Sequence, residues 1–325
     1  MYGGRYARAS VAKSVAVTSI DVTGAGTNSA YIFTVGDVVR NSRTGENFLV
    51  TAITDGDTIA VTASYGDTVA QAVAAGDGLF IVGNVNAENT GARNVNTTRS
   101  TKQTNYTQIF KTSIAVSGTE KASKLYGGPD LPYQRAKKGT EHALDIEKAF
   151  WFGQKNSDTA TYARRATGGI DEFITAGSSY VQNQGGPLTA PDMNTFLREA
   201  FTYGSSTKML FAGGLVLQAI NEISRGQLQT KVGDSTYGVK IAEWQTAFGT
   251  VNVVHNPLFV EDFAGSAYLL DMEAFRYRYM EGRDTKLELN IQAPDVDGEI
   301  DQYISEVGLE RKQAPLHALL KGVQG

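Results

Sequence analysis

Between Asn105 and Gly153 the chain changes character once, and that change limits what it can fold into. The first half, NYTQIFKTSIAVSGTEKASKLYGG, is polar, β-prone and rich in turn residues. It runs directly into PDLPYQRAKKGTEHALDIEKAFWFG, which reads as one long helix. Pro129 or Pro132 is tolerated in a first helical turn, where the missing N–H has no partner, and Asp130 suits the positive end of the helix dipole. Ala136, Gly139, Ala143, Ile146, Phe150 and Gly153 recur at spacings of three and four and define one apolar face. Its N-terminal half is small, so Ala136, Gly139 and Ala143 are expected to admit a close-packed neighbouring backbone. Some 22 residues of helix give a rod of roughly 33 Å, and Gly153 is placed to end it. An extended segment that cannot bury itself, joined to such a rod, suits a protein that reaches over its neighbours.

The rest of the chain is organised around this stretch. At 325 residues it is long enough for two or three domains. Residues 1–13 are rich in Gly, Tyr, Arg and Ser and read as a mobile arm. From Ser14 to Gly83 the period is two, with strands expected at VAVTSIDV, AYIFTV, VVRNS, NFLVTAI, TIAVTAS and GLFIVGN. Gly-Asp turns separate them, which predicts a small all-β barrel or sandwich. Asn84 to Thr104 is polar and reads as a linker, and Tyr106 to Val116 as an extended strand.

Beyond the long helix, Ala166–Ile174 reads as a glycine-hinged strand and Tyr180–Pro187 as a loop. Thr189 and Asp192 predict a capped helix start. Lys208–Ala212 reads as a short buried strand and Leu215–Ile223 as a helix, after which strands return from Val239. An all-β module, a long helix and a mixed body define an α+β architecture.

Composition excludes several function classes. There is no Cys, which removes disulfides, thiolate metal sites and Cys nucleophiles. A net charge of −4 argues against a dedicated nucleic-acid binder. The N-terminus lacks the continuous apolar run of a signal peptide, and no apolar run is long enough to span a bilayer.

Chemistry-bearing patterns are sparse. Asp37, Asp55, Asp57, Asp67 and Asp77 could gather around Ca²⁺, but turn chemistry accounts for them better. His142, His255 and His317 lie far apart, and Ile146 stands where a zinc-protease pattern after Glu141-His142 needs a second His. His142 is therefore assigned to the polar face of the helix. Gly213-Gly214 lacks a full dinucleotide fingerprint and reads as close helix–strand packing. Asp171-Glu172, Glu261-Asp262 and Asp295…Asp297 could be imagined as a glycosidase pair, yet most sit beside turn residues. The run FRYRYMEGR (275–283) could stack bases, although alternation along one strand gives a ring-lined and an Arg-lined face that suit a subunit interface equally. No cofactor is implied, and no enzymatic site is built by these residues.

The order and wording of the chain resemble the major capsid proteins of tailed bacteriophages with the Hong Kong 97-type fold. NYTQIFKTSIAVSGT (105–119) resembles the family's extended E-loop strand, and RAKKGTEHALDIEKAFWFG (135–153) its spine helix. EWQTAFGTVNVVHNPLF (243–259) resembles paired strands near the junction of the A- and P-domains, and EVGLERKQAPLHALLKG (306–322) the closing strand. GDVVRNSRTGENFLVTAITDGDTIAVT (36–62) resembles a β insertion found in one branch.

The resemblance implies an N-terminal arm (1–13), an all-β insertion domain (14–88), a linker and E-loop (89–128), a P-domain with the spine helix (129–188), an A-domain (189–265) and P-domain return strands (266–325). It also implies an icosahedral shell subunit that associates with copies of itself as hexamers and pentamers. The shell would enclose double-stranded DNA contacted non-specifically, with portal or decoration proteins as further partners. Position in the fold then points to Tyr106, Ile109 and Phe110 on the E-loop, Arg135, Lys137, Lys138 and Glu141 on the spine helix, and Arg276 and Arg278 on a late strand as intersubunit contacts. Two other classes stay open from the residues alone: a tail, baseplate or surface-layer component, and a secreted carbohydrate-active enzyme with a β accessory module.

Overall fold

The period-two segments of the N-terminal third close into a six-stranded antiparallel barrel. Its strands are β1 (Tyr6–Ala9), β2 (Ser19–Thr23), β3 (Asp37–Asn41), β4 (Asn47–Ile53), β5 (Thr58–Thr62) and β6 (Gly78–Asn84), in the order β1-β2-β5-β4-β3-β6. The computed structural model describes residues 6–23, 29–89, 91–93, 102–123, 130–227, 230–232 and 242–325, in two units, Met1–Lys102 and Gln103–Gly325. Alternate side chains such as Ile20, Val22, Val39, Phe48, Val50, Ile59 and Leu79 fill the barrel, as the pleat of half-buried strands dictates.

Two expectations for this unit are corrected. The arm expected over 1–13 contains β1, which pairs with β2 and β6 and buries Ala7 and Ala9. Small inward residues give no visible alternation, and only closure of the barrel makes YARA a strand. The expected strand AYIFTV is a 3₁₀ turn over Ser29–Ile32, with Phe33 buried in the barrel core.

The barrel's acidic residues brace turns. Asp77 accepts from Asn41 (2.8 Å), from Arg43 Nε (2.7 Å) and from the Ala74 amide (2.8 Å), and these bonds, the Arg43 one foremost, hold its carboxyl down at about 2. Asp37 accepts from the Thr34 amide (2.7 Å) and from Arg93 (2.6 Å). Gly36, just before it, has φ +88°, and a Cβ there would lie 2.9 Å from the Val85 carbonyl oxygen, so the turn requires glycine. Among the described residues no group of three or more His, Asp or Glu is placed to hold a metal ion.

The second unit contains β7 (Gln108–Ser117), α1 (Gly118–Ala122), α2 (Asp130–Phe152), β8 (Asn156–Ser157), β9 (Arg165–Ala166), α3 (Ile170–Phe173) and β10 (Tyr180–Gly186). It continues with α4 (Ala190–Ala200), β11 (Thr207–Ala212), α5 (Gly214–Gln227), β12 (Thr230–Val232), β13 (Ala242–Gln245), β14 (Thr250–His255) and β15 (Ala267–Leu270). It ends with β16 (Phe275–Tyr279), β17 (Lys286–Glu288), β18 (Gly298–Arg311) and β19 (Ala318–Val323). A mixed seven-stranded sheet has the order β10-β19-β15-β11-β14-β13-β12. A four-stranded antiparallel sheet is built on β18, which pairs with β7 on one side and with β16 and β17 on the other.

The seven-stranded sheet has apolar cores on both faces. On one, Met193, Phe196 and Leu197 of α4 and Val216 and Ile220 of α5 meet Leu210, Val251, Leu269 and Leu320. The Thr189–Asp192 capping box forms as expected and starts α4. On the other face, Trp151 at the end of α2 lies edge-on to Phe211 and Phe259, with ring centroids 5.1 and 4.9 Å away. Such geometry is favoured by the ring quadrupoles, and it fixes the long helix to the sheet.

Lys208, within the expected buried strand, is 1% exposed. Its ammonium donates to the carbonyls of Ala200 (2.6 Å), Tyr203 (2.7 Å) and Leu316 (2.7 Å), tying the end of α4 to the turn before β19. Burial pulls its pKa down to about 8.

Four further expectations fail here for identifiable reasons. The boundary expected at 265/266 cuts through the seven-stranded sheet, because β15 and β19 lie inside it beside β11 and β10. The segment 166–174 is not one strand: only Ala166 belongs to β9, and Ile170–Phe173 form helix α3, because the chain must pass over the end of α2, where a Cβ on Gly169 would sit 2.7 Å from the Trp151 carbonyl oxygen. Tyr180–Gly186, expected as a loop, is a strand parallel to β19; its polar sequence shows no alternation, and backbone pairing alone defines it. The segment 105–119, expected as an outstretched E-loop, is paired with β18 along the whole of β7.

Candidate assembly surface

Helix α2 lies along β18 and runs in the same direction. Arg135, Gly139, His142 and Ile146 meet Asp301, Tyr303, Ser305 and Val307 in turn. Helical steps of four, three and four residues thus track strand steps of two. Each level has its own chemistry. Arg135 donates to Asp301 Oδ2 (2.7 Å) and to Glu299 (2.9 Å), and Lys121 completes the cluster on Glu299 at 2.5 Å. Asp301 is fully buried, and its other oxygen accepts from the Asn290 amide (3.0 Å). At Gly139 the hydroxyl end of the Tyr303 ring packs 3.1–3.2 Å from where a Cβ would be, and the hydroxyl donates to the Arg135 carbonyl (3.1 Å).

His142 is 1% exposed. Its Nδ1 is 2.9 Å from Thr112 Oγ1 and its Nε2 2.7 Å from Ser305 Oγ. Ile146 closes the seam against Phe110 and Val307.

The helix is therefore rotated from its expected setting. Ala136 and Ala143, expected inside, are exposed, and His142, expected on the polar face, is buried. The reason is that β18 presents Asp301 and Ser305, which select Arg135 and His142 as inward partners. Gly139 admits an aromatic ring of its own chain, where a neighbouring backbone was expected. Leu at this position would overlap a ring that already lies 3.1–3.2 Å from an added Cβ. Gly139→Leu is expected to lower stability by about 1–3 kcal/mol and to reduce particle yield, whereas Gly139→Ala, which gains helix propensity, stays near wild type. Thermal melting and particle counts by electron microscopy check both.

The residues expected at subunit contacts divide into two groups. Phe110 and Arg135 are committed within the chain, to the seam just described. Lys138 pairs with Glu141 one turn on, at 2.6 Å, and Arg278 pairs with Glu310. Tyr106 is partly buried, with the Lys155 ammonium 5.5 Å from its ring centre. Ile109 (50% exposed), Lys137 and Arg276 face outward. Periodicity centred on the wrong face missed Tyr133 and Leu144, which are exposed beside Ala136 and Ala143 on the outer side of α2.

Other candidate groups are held by structural bonds. Asp171 accepts from the Tyr268 hydroxyl (2.8 Å), and Glu172 pairs with Arg311 at 3.1 Å. Tyr277 stacks edge-on to Phe150 and donates to Asp284 (2.7 Å); burial, reinforced by that carboxylate, pushes it up to about 12. His317 is buried: its Nδ1 accepts from the Asp271 amide (3.2 Å), and its Nε2 lies 3.2 Å from the Lys312 carbonyl oxygen. Burial pulls His317 down to about 4 and lowers His142 as well.

Both histidines bind protons less readily in the folded chain than in the unfolded one. Their contribution is complete above pH 6.5 and shrinks as pH falls, for His317 until about 4. The subunit is expected to lose up to about 3 kcal/mol from His317 across that window. Urea unfolding at successive pH values checks this, and His317→Gln flattens the profile.

A long helix laid along a long strand, joined through its C-terminal aromatic residues to a mixed sheet, is the Hong Kong 97-type fold of shell-forming structural proteins. The capsid of a native GTA particle superposes with a TM-score of 0.50 at 11% identity, over 74% of this chain and 80% of that one. The holo-SrpI encapsulin of Synechococcus elongatus PCC 7942 gives a TM-score of 0.48 at 14% identity, over 67% and 74% of the two chains. In sequence, the major capsid protein of Pseudomonas phage PaMx41 is 24% identical over 304 residues, 88% of this chain and 72% of that protein. The SU10 major capsid protein family matches residues 16–324, and the chain belongs to that family. It is a structural subunit of a phage head and a component of the virion.

Proposed function

We propose that the chain assembles as hexamers and pentamers into a closed icosahedral head around double-stranded DNA, built in the host cytoplasm. The family match across nearly the whole chain carries this reading. The outer side of α2 supports it: exposed Tyr133 and Leu144 with small Ala136 and Ala143 between them form a surface that sister copies can bury. In this reading Ile109, Lys137, Arg276 and the exposed part of Tyr106 contact neighbours, with the charges setting register more than affinity. The barrel, which includes β1, is the added β domain. Packaged DNA is contacted through charge without base recognition, and portal or decoration proteins complete the head.

Electron microscopy of the expressed chain tests the proposal. Closed polyhedral shells are expected. Tubes or flat lattices would point to a tail, baseplate or surface-layer component. A monomer at every concentration and salt would overturn self-assembly of the chain on its own.

A further inference from the structure

Two exposed features of the second unit lie at opposite ends of the α2–β18 rod and are complementary. The first is the β8–β9 hairpin, which leaves the C-terminal end of α2. Its tip presents Tyr162, 92% exposed, and Arg164, whose side chain is 96% exposed, with exposed Arg165 behind them. The tip is braced: Asp158 Oδ1 accepts from the amides of Arg164 (2.9 Å) and Ala160 (3.3 Å), the Asp158 amide donates to the Arg164 carbonyl (3.1 Å), and Asp158 Oδ2 lies 3.5 Å from Arg164 Nε, a solvent-open ion pair that leaves the rest of the guanidinium available. A projecting aromatic and guanidinium pair on a pre-organised loop has the composition that dominates binding energy at protein interfaces.

The second feature is the loop before β18. Ile291 and Val296 are 43% and 46% exposed, and Asp295 and Asp297 flank Val296. Among the described residues neither carboxylate has an ion pair. The loop is pinned to the Arg135 end of the rod: the Ile291 amide donates to the Ile300 carbonyl (2.8 Å), and the Ile300 amide to Gln292 (3.0 Å).

We propose that the Tyr162 hairpin of one copy docks on the Asp295–Asp297 loop of the next, with Tyr162 against Val296 and Ile291 and the two arginines against the two carboxylates. This deepens the assembly reading above and rests on it. From Arg135 to Phe152 the rod spans about 26 Å of helix axis, so one copy cannot satisfy its own knob with its own socket. A contact between two different patches is heterologous, and a repeated heterologous contact closes into rings or continues without end. The hairpin and the loop thus supply a head-to-tail junction suited to ring-shaped capsomers.

The absence of Cys from the chain makes a covalent test unambiguous. In the full-length chain carrying both Tyr162→Cys and Val296→Cys, mild oxidation is expected to produce a ladder of covalent oligomers beyond the dimer, and each single variant none. Reversing the arginines (Arg164→Glu with Arg165→Glu) is expected to lower particle yield at least about tenfold, as loss of a hot spot does. Adding Asp295→Arg and Asp297→Arg should restore most of it, with unchanged melting temperatures showing that the variants fold. Wild-type shells together with no ladder and full yield from the reversed variants would overturn the junction while leaving shell assembly intact. Absence of wild-type shells would instead strike the assembly reading itself.

Discussion

Arg135→Met is expected to be among the most damaging single changes in the second unit. It removes the cation from Asp301, which is wholly buried, and from Glu299, which is nearly so, while leaving both carboxylates in place. Breaking one side of a buried ion pair costs about 3–5 kcal/mol, because an uncompensated charge remains. Both tryptophans of the chain, Trp151 and Trp244, belong to this unit, so fluorescence during urea unfolding of the unassembled subunit reports the loss directly. Adding Asp301→Asn to Arg135→Met should recover part of it, since the amide oxygen can still accept from Asn290 and carries no charge. If Arg135→Met unfolds at the wild-type urea concentration, the seam is not what holds α2 to β18.

Lys208→Met is expected to have a comparable effect through a different route. Met keeps most of the side-chain volume and removes the donor shared by the carbonyls of Ala200, Tyr203 and Leu316. Buried acceptors left without partners cost about 1–3 kcal/mol each, so a loss of about 3 kcal/mol or more is expected. The pH dependence separates this from simple loss of packing. The folded chain holds the Lys208 proton less tightly than the unfolded chain, with a pKa near 8 against an ordinary 10.5. Between those values the unfolded chain binds more protons, so wild-type stability gains from this group as pH rises. The gap between wild type and Lys208→Met should therefore widen from pH 8 to 10.5. A constant gap would show that the ammonium is not the group responsible.

The sequence made the larger elements legible for physical reasons that can be traced residue by residue. Barrel strands such as Asn47–Ile53 alternate visibly, and the Thr189–Asp192 box marks a helix start with two local bonds. The long helix was readable in extent but not in rotation. Its small residues and its buried face do not coincide, because the inward positions include an arginine and a histidine whose partners on β18 lie more than 160 residues away. Tyr6–Ala9 and Tyr180–Gly186 were missed for a related reason: each becomes a strand only when distant strands supply its hydrogen bonds. The contact surface suffered most. Arg135 and Phe110 carry interface-like chemistry that the folded chain uses internally, and the exposure of Tyr162 depends on a hairpin brace that leaves no periodic trace.

The graded seam between α2 and β18 has a mechanical consequence. Because each level has its own chemistry, the helix and strand are keyed like a notched rule, and sliding by a single notch would set Asp301 beside Gly139 and Tyr303 beside His142. Tension pulling the two ends of the subunit apart must break all the notches at once and cannot be relieved by creep. A wall made of such staves resists bursting through shape as much as through adhesion.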